Sequence, residues 1–142
     1  MNSEYTLISH PSINPELEKL LADGINTQAY LLRKMPPIQE FSVELRNLDR
    51  HIIGGATGAS VFGNLYVDML WVAPHVRAQG WGTQVMRQAE TIGKERGCCF
   101  ATVNTMDWQA LPFYQKLGYT IEFTREGFEK EAKMFFLRKI LD

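Results

Sequence analysis

The hydrophobic period of this chain changes twice, and those changes limit its architecture more than any single motif does. From residue 39, apolar side chains recur at every second position: Phe41, Val43 and Leu45 alternate with Ser42, Glu44 and Arg46. A period of two belongs to a strand with one buried face. Asn47-Leu48-Asp49-Arg50 reads as a turn and His51 to Val61 as a second strand, loosened by Gly54, Gly55 and Gly58. Phe62-Gly63-Asn64 then turns into a third strand, Leu65 to Ala73. Short turns between consecutive strands predict an antiparallel meander. After Pro74 the period becomes helical: Val85, Met86, Ala89 and Ile92 share a face, while Gln84, Arg87, Gln88, Glu90 and Lys94 fall mostly elsewhere. Gly97 suits the position just past that helix.

The remaining elements follow the same logic. Cys98 to Asn104 is a short apolar strand, and Trp108 to Leu117 reads as a helix ended by Gly118. Tyr119 to Arg125 and Met134 to Lys139 are two further strands, joined by the mixed-charge run Arg125 to Lys133. That run reads as a solvated hairpin loop or, alternatively, as a flap over a site or an oligomer contact. Ahead of the meander, Tyr5 to Ser9 is expected to be a strand. Asn14-Pro15-Glu16 then has the cap, the proline and the acid of a helix start. Leu17, Leu20 and Leu21 continue it, Gly24 is expected to interrupt it, and a second helical stretch runs to about Lys34. The predicted order, β-α-α-β-β-β-α-β-α-β-β, describes a mixed α/β fold in one domain over residues 1–142.

Composition narrows the function classes. Fifteen basic against 16 acidic residues leave a net charge of −1, which argues against bulk binding to nucleic acid or to an anionic membrane. The apolar runs are too short for a membrane span, and Met1-Asn2-Ser3-Glu4 is too polar for a signal peptide. The two cysteines, Cys98 and Cys99, are adjacent and close no useful disulfide loop. His10, His51 and His75 lack metal-ligand spacing, so no metal is expected. A cytoplasmic protein is the expectation.

The most informative segment is Trp71-Val72-Ala73-Pro74-His75-Val76-Arg77-Ala78-Gln79-Gly80-Trp81-Gly82-Thr83. A strand ends, a loop turns, and two glycines open a helix. Free N–H groups and the helix dipole at such a start attract an anion, glycine lets a phosphate approach the backbone, and Arg77 adds a positive charge. A dinucleotide fingerprint fails because Val85 stands where a third glycine is needed. A P-loop fails because Asn64-Leu65 stands where Lys and Ser or Thr belong. A plain tight turn is the competing account.

Arg77-Ala78-Gln79-Gly80-Trp81-Gly82 resembles the Arg/Gln-x-x-Gly-x-Gly/Ala signature of the GNAT superfamily of acyl-CoA-dependent N-acetyltransferases. Leu70-Trp71-Val72-Ala73-Pro74 is similar to the end of that family's fourth strand, and Ile53-Gly54-Gly55 suits its third. Ala110-Leu111-Pro112-Phe113-Tyr114-Gln115-Lys116-Leu117-Gly118-Tyr119 resembles its Phe-Tyr helix motif. The resemblance runs from about residue 38 to the C-terminus. It implies a mixed, mostly antiparallel sheet with splayed fourth and fifth strands and helices on both faces. Acetyl-CoA would lie in the splay, its pyrophosphate on the N–H groups of Gln79, Gly80, Trp81, Gly82 and Thr83 beside Arg77. Its pantetheine would run along Leu70 and Val72, with Asn104 contacting the cofactor from the other side.

The resemblance also implies direct attack of an amine on the thioester. Leu70 N–H matches the donor to the carbonyl oxygen, and Tyr114 matches the acid that assists the departing thiolate. For the base, strict alternation puts Tyr66, Asp68 and Leu70 on one face, which makes Asp68 the nearest carboxylate. Asp68 could equally recognise a cationic amine or join an ion pair; Glu44 and water are the other candidates. Asp68, Glu44, Tyr66 and Trp108 would suit a cationic amine with some apolar body. Asp107 stands where many relatives carry Asn, and is expected to cap the helix that follows. The acceptor would be a primary amine of a small molecule or peptide. A non-catalytic acyl-CoA-binding regulatory module is the alternative, a longer acyl chain is open, and a homodimer is possible.

Overall fold

The computed structural model describes residues 4–142, which fall into two compact units, one up to Pro37 and one from Ile38 to Asp142. The first unit contains one helix, α1 (Pro15–Arg33). Asn14 caps it by accepting the Glu16 N–H at 2.9 Å, Pro15 takes the first position, and Lys34 closes it in the left-handed conformation. Gly24 does not divide it: a lone glycine costs a helix only about 1 kcal/mol, and α1 runs through it unbroken. Tyr5 to Ser9 is not a strand. A strand exists only where its backbone finds a ladder, and apolar side chains alone do not supply one.

The second unit holds a six-stranded sheet of order β1-β2-β3-β4-β6-β5. The meander forms as the period requires: β1 (Gln39–Arg46), β2 (Ile52–Val61) and β3 (Asn64–Val72) pair antiparallel. Phe62 and Gly63, with φ of 50° and 89°, make the two-residue turn between β2 and β3. Two positive φ values in succession match the natural twist of a hairpin. The helix α2 (Trp81–Glu95) follows, then β4 (Phe100–Met106), the short α3 (Leu111–Lys116), β5 (Thr120–Arg125) and β6 (Met134–Ile140). The predicted fold class holds, with one strand fewer and an undivided first helix.

Val85, Met86 and Ala89 of α2 are buried against the inner sheet face, where Leu65, Val67, Ala101, Val103 and Leu137 complete the core. Burying each of the larger side chains is worth roughly 1.5–3 kcal/mol. Glu90 departs from the expectation that it faces outward. It is buried, accepting the Tyr119 hydroxyl at 2.7 Å and the Lys139 ammonium at 2.8 Å. A carboxylate can leave water only with such partners.

Two irregularities of β3 position everything that follows. The first is a bulge: Thr57 pairs with Met69 and Gly58 with Val67, so Asp68 has no partner on β2. Gly54, Ala56, Gly58 and Ser60 share one face of β2 and pair with Val72, Leu70, Val67 and Leu65. Leu70 and Val72 therefore lie on the inner face with Leu65 and Val67. The second irregularity is that β3 pairs in parallel with β4 only from Asn64/Phe100 to Val67/Val103. Beyond that point the two strands separate, and a gap opens between Asp68–Val72 and the end of β4.

Candidate active site

Backbone direction decides what the gap can bind. The Ala73 N–H donates to Ile53 O at 2.8 Å, toward β2. Backbone groups alternate sides along a strand, so those of Val72 and Leu70 point away from β2, into the gap. Arg77 Nε already donates to Val72 O at 2.7 Å, and its guanidinium lies 5.7 Å from the Trp71 ring. Arg77 thus ties the turn to β3, and its remaining N–H groups have no hydrogen-bond partner among the described residues.

The turn itself is built for close approach. Ala78 adopts φ 62° and Gly80 φ 89°, and Gly80 is the N-cap residue of α2. The left-handed conformation is free to glycine but costs about 1–2 kcal/mol at an alanine, so the turn is held by its surroundings. No side chain caps α2, which leaves the first-turn N–H groups of Trp81, Gly82 and Thr83 available to an anion.

Together these elements line a cleft of about 610 Å³. Of the residues expected from sequence, Leu70, Val72, Arg77, Gly80, Gly82 and Thr83 line it. Gln79 and Trp81 contribute no lining side chain; the Gln79 amide instead reaches His75 O at 3.4 Å. The opposite wall is Trp108, Gln109, Ala110 and Phe113. That wall places Trp108 with the glycine turn, and its indole is not beside Asp68. Trp71, Ala78, Gln109, Ala110 and Phe113 line the cleft beyond the expected set, and all of them except Gln109 lie inside the quoted motifs.

The wall is held differently from the expectation for Asp107. The helix α3 begins only at Leu111, and its N-cap residue is Ala110, with no side-chain cap. Asp107 uses its N–H on Lys133 O at 2.9 Å. The turn is tied by the Gln109 side chain, which accepts the Met106 N–H at 2.9 Å, and by Thr105 Oγ1, which accepts the Ala110 N–H at 3.2 Å. Pro112 in the first turn shortens the expected helix at its start.

Tyr114 is buried just behind Phe113, with ring centroids 5.2 Å apart, and also packs edge-on against Tyr119 at 5.9 Å. Burial pushes its phenol up to about 12. None of the described residues hydrogen-bonds its hydroxyl, yet that oxygen is not sealed from solvent.

Asp68 does not stand on the face that strict alternation predicts. The bulge breaks the alternation, so Asp68 and Leu70 do not share a face. Asp68 stands on the outer face, on a cleft that also includes Glu40, Ser42, Tyr66 and Met69. It is the first β3 residue past the last pair with β4. Tyr66 is held above its usual pKa, first by burial and then by the neighbouring Asp68 carboxylate. The Asn104 amide donates to Tyr66 Oη at 3.4 Å, so Asn104 also belongs to the outer face and does not line the glycine-turn cleft. Glu44 is exposed and paired with Arg46 at 2.6 Å. Among the described residues no group of side chains could hold a metal ion, and no helix is long and apolar enough to cross a membrane.

This arrangement has close counterparts. A sequence profile of the acetyltransferase (GNAT) family matches residues 8–119. An acetyltransferase of Agrobacterium fabrum is 34% identical over 107 residues, covering 74% of this chain and 77% of that protein. The blasticidin-S acetyltransferase of Streptomyces morookaense is 32% identical over 96 residues, covering 63% and 71%. The crystal structure of an acetyltransferase from Bacillus cereus superposes with a TM-score of 0.77 at 31% identity, covering 95% of this chain and 98% of that one. With a gap between β3 and β4, an uncapped glycine turn at its end and these relatives, the chain belongs to the acetyltransferase (GNAT) family.

Proposed function

We propose that the unit from Ile38 to Asp142 transfers an acetyl group from acetyl-CoA to a primary amine, by direct attack within a ternary complex. The observation that carries this reading is the alignment of two features along one cleft. Free N–H groups at the α2 start and Arg77 suit the pyrophosphate, while the inward-pointing backbone of Val72 and Leu70 suits the pantetheine arm. Gln79 contributes its backbone N–H alone.

The reaction then needs three groups. Leu70 N–H donates to the thioester oxygen as it gains charge. The amine reaches the thioester from the outer face, where Asp68 marks the start of the gap. As the amine nitrogen bonds the carbonyl carbon, the C–S bond breaks and the thiolate leaves on a hydrogen bond from Tyr114. The proton released by the nitrogen passes to Asp68, directly or through water. Asn104 holds Tyr66, and Tyr66 orients the Asp68 carboxylate. The blasticidin-S acetyltransferase among the relatives supports a small-molecule acceptor.

Calorimetric titration with acetyl-CoA, CoA and ATP, in parallel on the Arg77→Ala and Gly82→Trp variants, tests the cofactor half. Selective binding of the CoA species, weakened in the first variant and lost in the second, is the expected result. An absence of binding by every CoA species overturns the proposal. A screen of amines for acetyl-CoA-dependent thiol release then tests the transfer.

A further inference from the structure

The outer sheet face carries a second cleft, about 400 Å³, on the far side of Tyr66 from Asp68. Thr102 and Asn104 of β4, Phe136 of β6, and Phe123 and Arg125 of β5 line it together with Tyr66. The register explains this grouping: Asn104 pairs with Phe136 and Phe136 with Phe123, which puts the three in a row across neighbouring strands.

Arg125 is the unusual member. Its guanidinium lies 5.0 Å from the Phe136 ring centroid and 5.8 Å from that of Phe123, and the two rings are 5.7 Å apart. No ion pair or hydrogen bond joins that guanidinium to any described residue. The rings fix the position of the head group without neutralising its charge or satisfying its N–H donors. An exposed arginine on an edge strand is ordinarily just solvated. This one is held over a cleft whose other end, at Asn104 and Tyr66, is the mouth of the gap.

Resting on the acetyl-transfer reading above, we infer that the acceptor carries a carboxylate that docks on Arg125 while its amine enters the gap beside Asn104 and Tyr66. The guanidinium fork matches a carboxylate with two parallel hydrogen bonds. From Asn104 to Phe123 is two strand spacings, about 10 Å, so the two ends of the acceptor are joined by a stem of several methylenes. Phe136, between them, offers the stem an apolar surface. Glu122, the bulged residue of β5, sits at the rim of the same cleft and can receive an α-ammonium group. The acceptor class is therefore an ω-amino acid, lysine-like where an α-amine is also present.

The test compares 6-aminohexanoate with 6-aminohexanamide, which keeps the amine and the length but removes the negative charge. The wild-type protein is expected to favour the acid in kcat/KM by about ten- to a hundredfold, the range of a charge-assisted hydrogen bond. In Arg125→Gln that ratio falls toward one, and in Arg125→Lys it is intermediate. An amide acetylated as well as the acid, or a ratio unchanged in Arg125→Gln, overturns the inference. If acetyl-CoA binds but no amine is acetylated, the catalytic reading fails by itself. Titration of 6-aminohexanoate into the CoA-saturated protein then decides the carboxylate site, since binding that is not selective over the amide, or not reduced in Arg125→Gln, overturns it.

Discussion

Replacing Tyr114 by Phe removes one oxygen and leaves the ring packed against Phe113 and Tyr119. That oxygen has no hydrogen-bond partner among the described residues, so the variant is expected to fold with a stability change under about 1 kcal/mol. A loss of turnover would then report chemistry and not unfolding. Its size follows from the acidity of the phenol. A thiol near pKa 8.5 is the stronger acid by ~3.5 units, so complete proton transfer from a phenol at about 12 is uphill by ~5 kcal/mol. Tyr114 therefore assists as a hydrogen-bond donor to the developing thiolate, worth about 1.5–3 kcal/mol, which is roughly ten- to a hundredfold in kcat. Steady-state thiol release at saturating amine measures this, with calorimetric acetyl-CoA affinity as the control. A kcat within twofold of wild type at unchanged affinity refutes the role. The raised pKa also gives a signed pH effect. The folded state holds the phenolic proton more tightly than the unfolded chain does. Its contribution, about 2–3 kcal/mol, is complete below pH 10 and is lost as pH rises toward 12. Alkaline unfolding of Tyr114→Phe lacks that part of the slope; an identical slope would mean that burial does not raise the pKa.

Two further substitutions test the scaffold. In Gly58→Ala the new Cβ would overlap Tyr66 O and crowd the Phe41 ring at the bulge; denaturant unfolding should show a loss of at least about 2 kcal/mol, and a smaller loss would mean that β2 can shift away from β3. In Glu90→Gln the carboxylate that receives Tyr119 and Lys139 loses its charge. A loss of about 1–3 kcal/mol with unchanged acetyl-CoA affinity is expected, and an altered affinity would show that this cluster communicates with the cleft.

Much of this molecule was legible from local order. The alternation after Gln39 marked the meander, the Asn14-Pro15 pair marked the start of α1, and Gly80 and Gly82 marked the opening of α2, because each depends on neighbours within a few residues. The glycine turn and the Phe-Tyr segment also pointed to the elements that line the cleft. What failed depended on partners distant in the chain. Tyr5 to Ser9 has strand-like side chains but no ladder, and Glu90 reads as a surface acid until Tyr119 and Lys139 fold over it. Trp108 looked like an acceptor-side aromatic, yet the Thr105 and Gln109 hydrogen bonds place it on the wall facing the glycine turn. The bulge at Asp68 shows the limit most clearly. Sequence fixes the residues of β3 but not how β2 registers against them. One unpaired residue moves Leu70 to the inner face and leaves Asp68 on the outer one. Periodicity, caps and turn chemistry are local energies and can be read along the chain. Register, burial of charge and the opening between β3 and β4 are set by contacts between segments, and only the tertiary structure decides them.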